Sequence, residues 1–207
     1  MPSENLKAIW RAGSTLAFFA LVGVVLLVAV QWLTKDQIAE NERQMRLQRL
    51  HEIVAASDYD NDLLGSAKTL TLSSPGLAKD ATAYFAFYKN TPVATMYEIT
   101  SVQGYSGPIR LVVGLNRDQS LRGVRVIAHK ETPGLGDKIE TSKADWILQF
   151  AGKSLTNPAE QDWKVRKDGG HFDQFTGATI TPRAVVNAVR EILLVAKQTN
   201  AAAEVMK

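Results

Sequence analysis

Cysteine is missing from the 207-residue chain. Its absence removes disulfides, thiolate metal sites, cysteine-ligated iron–sulfur clusters and cysteine-linked cofactors from this polypeptide. Histidine is scarce: His51, His129 and His171 are the three, and none pairs with another at ligand spacing, so no metal site is expected. Any redox cofactor is therefore organic or belongs to a partner. Excess charge is small as well, with a formal net charge of +3 and no run of Lys and Arg interleaved with aromatics. Nucleic acid is not expected as a partner.

What the chain does have is 45% hydrophobic residues, enough for a packed core, and one long apolar run. Residues 16–33 read LAFFALVGVVLLVAVQWL, uncharged, with Gln31 the polar member. Extended to Ser14, the run makes roughly 27–30 Å of helix, the thickness of a bilayer core. A transmembrane helix is expected over 14–33, with Trp10 and Trp32 near its ends. A cleaved signal peptide is the competing reading, but its apolar region is about 7–15 residues and a small-x-small site should follow. Here QWLTKDQ follows, which argues for an uncleaved anchor. Lys7 and Arg11 precede the run and a mixed, acid-leaning flank succeeds it, so residues 1–13 are expected in the cytoplasm and the remainder outside it. That remainder is close to neutral, which argues against polyanion binding.

Residues 34–56 carry Ile38, Met45, Leu47, Leu50, Ile53 and Val54 among charged neighbours, the pattern of a stalk helix with an apolar stripe. The stripe docks on the domain or on a neighbouring subunit, or the helix is simply solvated; periodicity does not separate these. A loop is expected through LTLSSPGLAKD, followed by strands at AYFAFYK, VATMYEITSV, PIRLVVGL and LRGVRVIAH, with turn signals at NTP, GYSG and NRDQ. KETPGLGDKI reads as a loop in which Pro133-Gly134 suits a type II turn. Residues 142–150 look helical, with Ser142 and Asp145 spaced as a capping box. WKVRK is a possible strand, and a last helix is expected from Pro182 towards Lys197. The fold class is α+β: one N-terminal transmembrane helix, then a domain over 57–207 with a largely antiparallel sheet and flanking helices.

Residues 172–189, FDQFTGATITPRAVVNAV, pose the functional question. Thr181 fits an N-cap and Pro182 the first helical position, while Val185, Ala188, Val189 and Ile192 form a buried stripe. That accounts for Thr181 and Pro182 but leaves Thr176, Gly177, Ala178 and Thr179 without a purpose. Helix N-termini attract phosphate, a Gly-Ala pair lets backbone approach a ligand closely, and adjacent hydroxyls bond to phosphate oxygens. The Gly-Lys-Ser/Thr ending of a P-loop is absent, so spacing alone reaches only generic anion binding.

The string Asp173-Gln174-Phe175-Thr176-Gly177-Ala178-Thr179-Ile180-Thr181 resembles the flavinylation motif Asp-x-x-Ser/Thr-Gly-Ala-Thr-x-Ser/Thr. HKETPGLGDKI is similar to the His-x-Glu-Thr-Pro-Gly-Leu-Gly segment of the same FMN-binding domain family. With a single anchor and a single exported domain, the chain resembles the family of G-type subunits of the Rnf (Rsx) electron transport complex. Less closely, it resembles the C-type subunits of the sodium-pumping NADH:quinone oxidoreductase. The resemblance implies FMN esterified through its phosphate to Thr181 by a flavin transferase, with Asp173, Thr176, Gly177, Ala178 and Thr179 completing the motif. It also implies that Glu131, Thr132, Leu135 and Gly136 cover the flavin ring.

By the same resemblance the partners are the other membrane subunits of the complex, among them a second flavinylated subunit and iron–sulfur subunits, in a bacterial inner membrane with the domain in the periplasm. The implied activity is that of a redox subunit in a ferredoxin:NAD oxidoreductase that moves ions. No nucleophile–base–orienter set of an independent enzyme is visible. His129 and His171 are expected to be ordinary strand and loop residues, outside the site. A flavin-free anchored scaffold, with Thr181 only a cap, is the rival from a different class.

Overall fold

The computed structural model describes residues 2–205, with side chains from 6 to 199. The chain divides into two compact units between Arg46 and Leu47. Helix α1 (Pro2–His51) supplies the whole of the first unit and enters the second with its last turns. It is long and apolar enough to cross a membrane, and none of its most apolar window is buried within the protein. Hydroxyls near the ends of the apolar run bond back to the helix itself. Ser14 Oγ and Thr15 Oγ1 donate to the Arg11 carbonyl (2.9 and 2.8 Å), and Thr34 Oγ1 donates to that of Val30 (2.8 Å). Such back-bonding removes the cost of a bare hydroxyl in hydrocarbon. Beyond the run, Gln37–Asn41 and Glu40–Gln44 pair one turn apart.

The second unit is built on a five-stranded antiparallel meander: β1 (Lys68–Thr71), β2 (Asp80–Tyr88), β3 (Thr91–Ser101), β4 (Ile109–Asn116) and β5 (Leu121–Ala128), in chain order. Alternation along the strands sends residues to two cores, one on each face. On one face Tyr97, Ile99, Leu111 and Val113 meet Val185, Val189 and Ile192 of helix α2 (Ile180–Val205). On the other, Tyr84, Ala86, Met96 and Val112 meet Leu50, Ile53, Val54 and Leu63. The stalk stripe is therefore split: Leu50, Ile53 and Val54 are buried in the globular unit, while Ile38 and Met45 are exposed. The helix ends at His51 rather than near Ala56. There the chain turns and Ile53 lands on Gly114, where an added Cβ would lie 2.3 Å from its Cγ2.

Three local expectations are corrected. Residues 68–71, expected in a loop, form β1 at the sheet edge. Residues 145–150 form a 3₁₀ helix without a side-chain cap, because Ser142 Oγ donates to Glu140 Oε2 (2.9 Å) instead of capping. WKVRK is no strand. Trp163 and Val165 are buried by alternation, but the ladder contact there is a single parallel bridge from Val165 to Phe172, and the chain then coils into a 3₁₀ turn, Arg166–Asp168.

Candidate functional site

The motif segment hangs from an aromatic cluster. Phe172 stacks on Phe150 (centroids 4.8 Å) and packs on Trp163 (4.9 Å), while Phe175 meets the edge of Trp146 at 5.2 Å. Trp146 Nε1–H donates to the Asp173 carbonyl (2.8 Å), and Trp163 Nε1–H to that of Ser154 (3.0 Å), so the buried Trp163 indole has no orphaned donor. Between these anchors and α2 the chain makes a tight turn. Ala178 N–H bonds to the Phe175 carbonyl (3.1 Å), and Gly177, third in the turn, has φ +82°. That is the left-handed residue a type II turn requires. A second turn of the same kind forms at Thr132–Leu135, closed by Leu135 N–H to Thr132 C=O (3.1 Å) with Gly134 at φ +78°. The Pro133-Gly134 pair thus does what its sequence suggests.

The two turns meet. A Cβ on Gly177 would lie 3.9 Å from Leu135 Cδ2. Between them and the start of α2 opens a cavity of about 450 Å³, lined by Tyr105, Glu131, Thr132, Leu135, Gly136, Lys167 and the segment 177–181. Of the residues singled out from the sequence, Glu131, Thr132, Leu135, Gly136, Gly177, Ala178, Thr179 and Thr181 come together here. Asp173 and Thr176 do not line it. Both are exposed, and the Asp173 carboxylate pairs with Arg166 at 3.0 Å.

The helix start differs from the expected one. Thr179, not Thr181, occupies the cap position: α2 begins at Ile180, and the Thr179 carbonyl accepts from Arg183 N–H (3.2 Å). Proline is tolerated anywhere in a first turn whose N–H groups lack acceptors, so Pro182 alone does not fix the register. The shift releases the Thr181 hydroxyl from capping. Thr181 is 1% exposed, and its Oγ1 donates to Glu131 Oε2. Ile180 and Thr181, cavity-lining residues in the first turn of α2, have amides without an intrahelical acceptor, and Pro182 adds none.

Glu131 is itself held at several points. It is 4% exposed, its Oε1 accepts from Ser106 N–H (3.1 Å), and its own N–H donates to His129 Nδ1 (3.0 Å). With Nδ1 accepting, the proton of His129 is on Nε2, which donates to Glu140 Oε1 (2.6 Å). That bond is the chief reason the Glu140 carboxyl titrates below its ordinary value. His129, set aside on sequence grounds, is part of the frame of the site; its place two residues before Glu131 was the available signal. His171 stays outside the cavity lining. Two glycines close the frame. A Cβ at Gly104 would lie 2.9 Å from Glu131 Oε1, and one at Gly136 would lie 2.9 Å from both Glu131 Cβ and Thr181 Oγ1.

Tyr105, Lys167 and Ile180 were not foreseen. Tyr105 sits in the loop before β4, and Ile180 is the variable motif position. Lys167 belongs to the 3₁₀ turn, whose backbone docks on the motif through Lys167 N–H to Gln174 Oε1 (3.1 Å). Its side chain forms no salt bridge or hydrogen bond among the described residues. The turn is clamped to α2 by Asp168, which accepts from Arg183 Nε (2.6 Å) and Nη2 (2.8 Å); these bonds push the Asp168 carboxyl down and the Arg183 guanidinium up.

The residues fit a flavin mononucleotide. The volume is that of a small-molecule site. Free amides, the hydroxyls of Thr179 and Thr181 and the Lys167 cation suit a phosphate, and Tyr105, Leu135 and Ile180 are exposed apolar surface suited to a flat ring. Among the described residues no cluster could hold a metal ion.

Comparison with known proteins bears on both units. Residues 104–194 match the FMN-binding domain, and residues 1–53 match the RnfG N-terminal region. The chain is 43% identical over 197 residues to the G-type subunit of the ion-translocating oxidoreductase complex of Vibrio atlanticus, covering 95% of this chain and 94% of that one. It is 45% identical over 194 residues to the corresponding protein of Pseudomonas aeruginosa, covering 93% and 91%. To that of Vibrio cholerae it is 45% identical over 186 residues, covering 90% and 89%.

Proposed function

The chain belongs to the RnfG family, the G-type subunits of ion-translocating oxidoreductase complexes, and from that membership we propose that it carries FMN esterified through the phosphate to Thr181. It is an electron-carrying subunit of such a complex. FMN, once bound, supplies the capacity to accept and return electrons; the protein supplies its position and surroundings. Thr181 holds the phosphate, with Thr179, the amides at the start of α2 and Lys167 as its electrostatic partners. Glu131, Thr132 and Gly136 wall the attachment point, while Leu135 and Tyr105 offer apolar contact to the ring. Asp173 and Thr176, exposed beside the cavity, present the motif to the flavin transferase that loads it.

The protein is anchored by one helix over 14–33 in a bacterial inner membrane. Lys7 and Arg11 keep its N-terminus in the cytoplasm, and the globular unit is periplasmic. Its partners are the other subunits, including a second flavinylated subunit and iron–sulfur subunits, in a complex that couples electron transfer between ferredoxin and NAD to ion movement. A covalent tether suits such a position, since flavin lost outside the cytoplasm is not readily recaptured.

One observation carries the reading: Thr181 lines the cavity in the first turn of α2, and its hydroxyl bonds to Glu131 instead of capping the helix. The test is intact mass of the full chain produced with and without a flavin transferase, together with ultraviolet fluorescence of the denatured band. Wild type should gain the mass of one esterified FMN and Thr181→Val none. A folded Thr181→Val protein that keeps full fluorescence after denaturation would end the assignment.

A further inference from the structure

Resting on that reading, we propose that Glu131 is the catalytic proton acceptor of the attachment reaction, so that the target protein supplies the base for its own flavinylation. Its Oε2 already accepts the Thr181 Oγ1 proton, the hydrogen that must leave when the hydroxyl becomes an ester oxygen. Geometry comes first in identifying a general base, and here the carboxylate oxygen is the hydrogen-bond partner of the hydroxyl itself.

The surroundings of Glu131 favour chemistry over architecture. The carboxylate is buried, yet it forms no salt bridge among the described residues; its partners are a hydroxyl and a backbone amide. Burying a charge without a counter-charge is costly. A glutamine would keep the Ser106 bond and the packing but turn its Nε2–H to Thr181 Oγ1, a donor where the reaction needs an acceptor. The site also spends rigidity on this one side chain. His129 fixes its backbone, Ser106 fixes Oε1, and Gly136 leaves it room, since a Cβ there would lie 2.9 Å from Glu131 Cβ. With Oε1 occupied, Oε2 is left for Thr181. The same order of parts, an oriented base beside a weak nucleophilic hydroxyl, activates serine and threonine elsewhere.

The step balances as follows. A phosphate monoester has no adequate leaving group, so the donor must be an FMN phosphoryl group held in an anhydride with a second phosphate. Thr181 Oγ1 forms a bond to the flavin-side phosphorus as the anhydride P–O bond breaks. The second phosphate leaves with the electron pair, and the Oγ1 proton passes to Glu131 Oε2. Nothing is oxidised or reduced. Afterwards Glu131 holds the proton and can donate it to the ester phosphate, so two negative groups are not forced together in a buried site.

The experiment uses the detergent-solubilised full chain made without the transferase, then mixed with purified flavin transferase and flavin adenine dinucleotide, the simplest such anhydride. Attachment rate is read by intact mass from pH 6 to 9 for wild type, Glu131→Gln, Glu131→Asp and Thr181→Val. Glu131→Gln, with an unchanged melting curve, should slow attachment by about 10²–10⁴-fold, the usual contribution of a positioned base. Its residual rate should rise with pH more steeply than that of wild type. Wild-type rate in folded Glu131→Gln overturns the proposal and leaves Glu131 as a packing residue. Should Glu131→Gln fail to fold, Glu131→Asp decides. A slower rate with the wild-type pH profile supports the base, because the shorter carboxylate reaches Oγ1 less well, and an unchanged rate overturns it. Thr181→Val separates the two ideas. Mass gain in that variant would sink the attachment site itself, whereas its inertness beside a fast Glu131→Gln would sink only the base.

Discussion

The two glycine turns that face the cavity share a geometry and differ in what holds them. Thr132–Leu135 and Phe175–Ala178 are each closed by a 3.1 Å backbone bond and each place a glycine in the left-handed region. The first is pinned by polar contacts on its flanks: His129 on the Glu131 amide and Ser106 on the Glu131 carboxylate. The second hangs from Phe172 and Phe175 in an aromatic cluster. Apolar anchoring tolerates small displacements and provides most of the stability; polar anchoring fixes one set of atoms at hydrogen-bond precision. The turn held by polar contacts is thus the one suited to place a reactive group, and the turn held by aromatics is the one suited to display small residues and hydroxyls.

Breaking the aromatic anchor should have the largest effect on folding. Phe172 is fully buried between Phe150 and Trp163, and Phe172→Ala should cost about 3–5 kcal/mol, the range for deleting a large core side chain. Denaturant unfolding of the solubilised chain measures it. Flavin attachment should fall only in proportion to the folded fraction; a folded Phe172→Ala protein unable to load would contradict the division of labour between the turns.

Gly136→Ala should do the reverse. Its φ is −86°, so the backbone accepts alanine without strain, but the added Cβ would sit 2.9 Å from both Glu131 Cβ and Thr181 Oγ1. Overpacking of this kind costs about 1–3 kcal/mol, and the atoms that must move are the ones proposed to react. Attachment should drop by more than the stability loss explains. Gly134→Ala is the control: nothing lies within 4 Å of its Cβ position, so only the left-handed φ is penalised, by about 1–2 kcal/mol. Equal attachment rates in the two alanine variants would show that the polar frame is not as tight as its distances indicate.

Much of this architecture was legible in the sequence. The strands β2 to β5 announce themselves through β-branched and aromatic residues bounded by turn signals. β1 does not, because four residues with only Leu70 partly buried carry no alternation. The motif and the ETPGLG stretch together spell most of the cavity wall, and Pro133-Gly134 and Gly177 spell its turns. The register of α2 was not readable, since Pro182 fits the first or the third helical position equally well. Nor was the contact between Glu131 and Thr181, which lie 50 residues apart in the chain. Lys167 and Tyr105 carry no local signature, for they line the cavity only because their own segments dock there.

The smallest effect concerns the clamp that keeps Lys167 at the cavity. Asp168 is partly exposed and accepts two hydrogen bonds from Arg183, which hold its carboxyl below the usual 3.8. A carboxyl whose folded-state value is depressed adds stability that is fully present above the unfolded value and disappears as pH falls through the folded one. The contribution is therefore present at neutral pH, begins to fade near pH 3.8 and is lost below it. Exposure and solvent screening keep it small. Asp168→Asn should lower the melting temperature slightly at pH 7, and the gap from wild type should close as the pH is taken below 3.8. Phe172→Ala offers the contrast, since an apolar deletion has no reason to converge with wild type in acid. Melting curves of the three proteins from pH 7 to pH 3 make the comparison. A gap for Asp168→Asn that persists undiminished at pH 3 would mean that the clamp works through packing rather than charge, and that the Lys167 turn is held like the aromatic side of the site rather than the polar one.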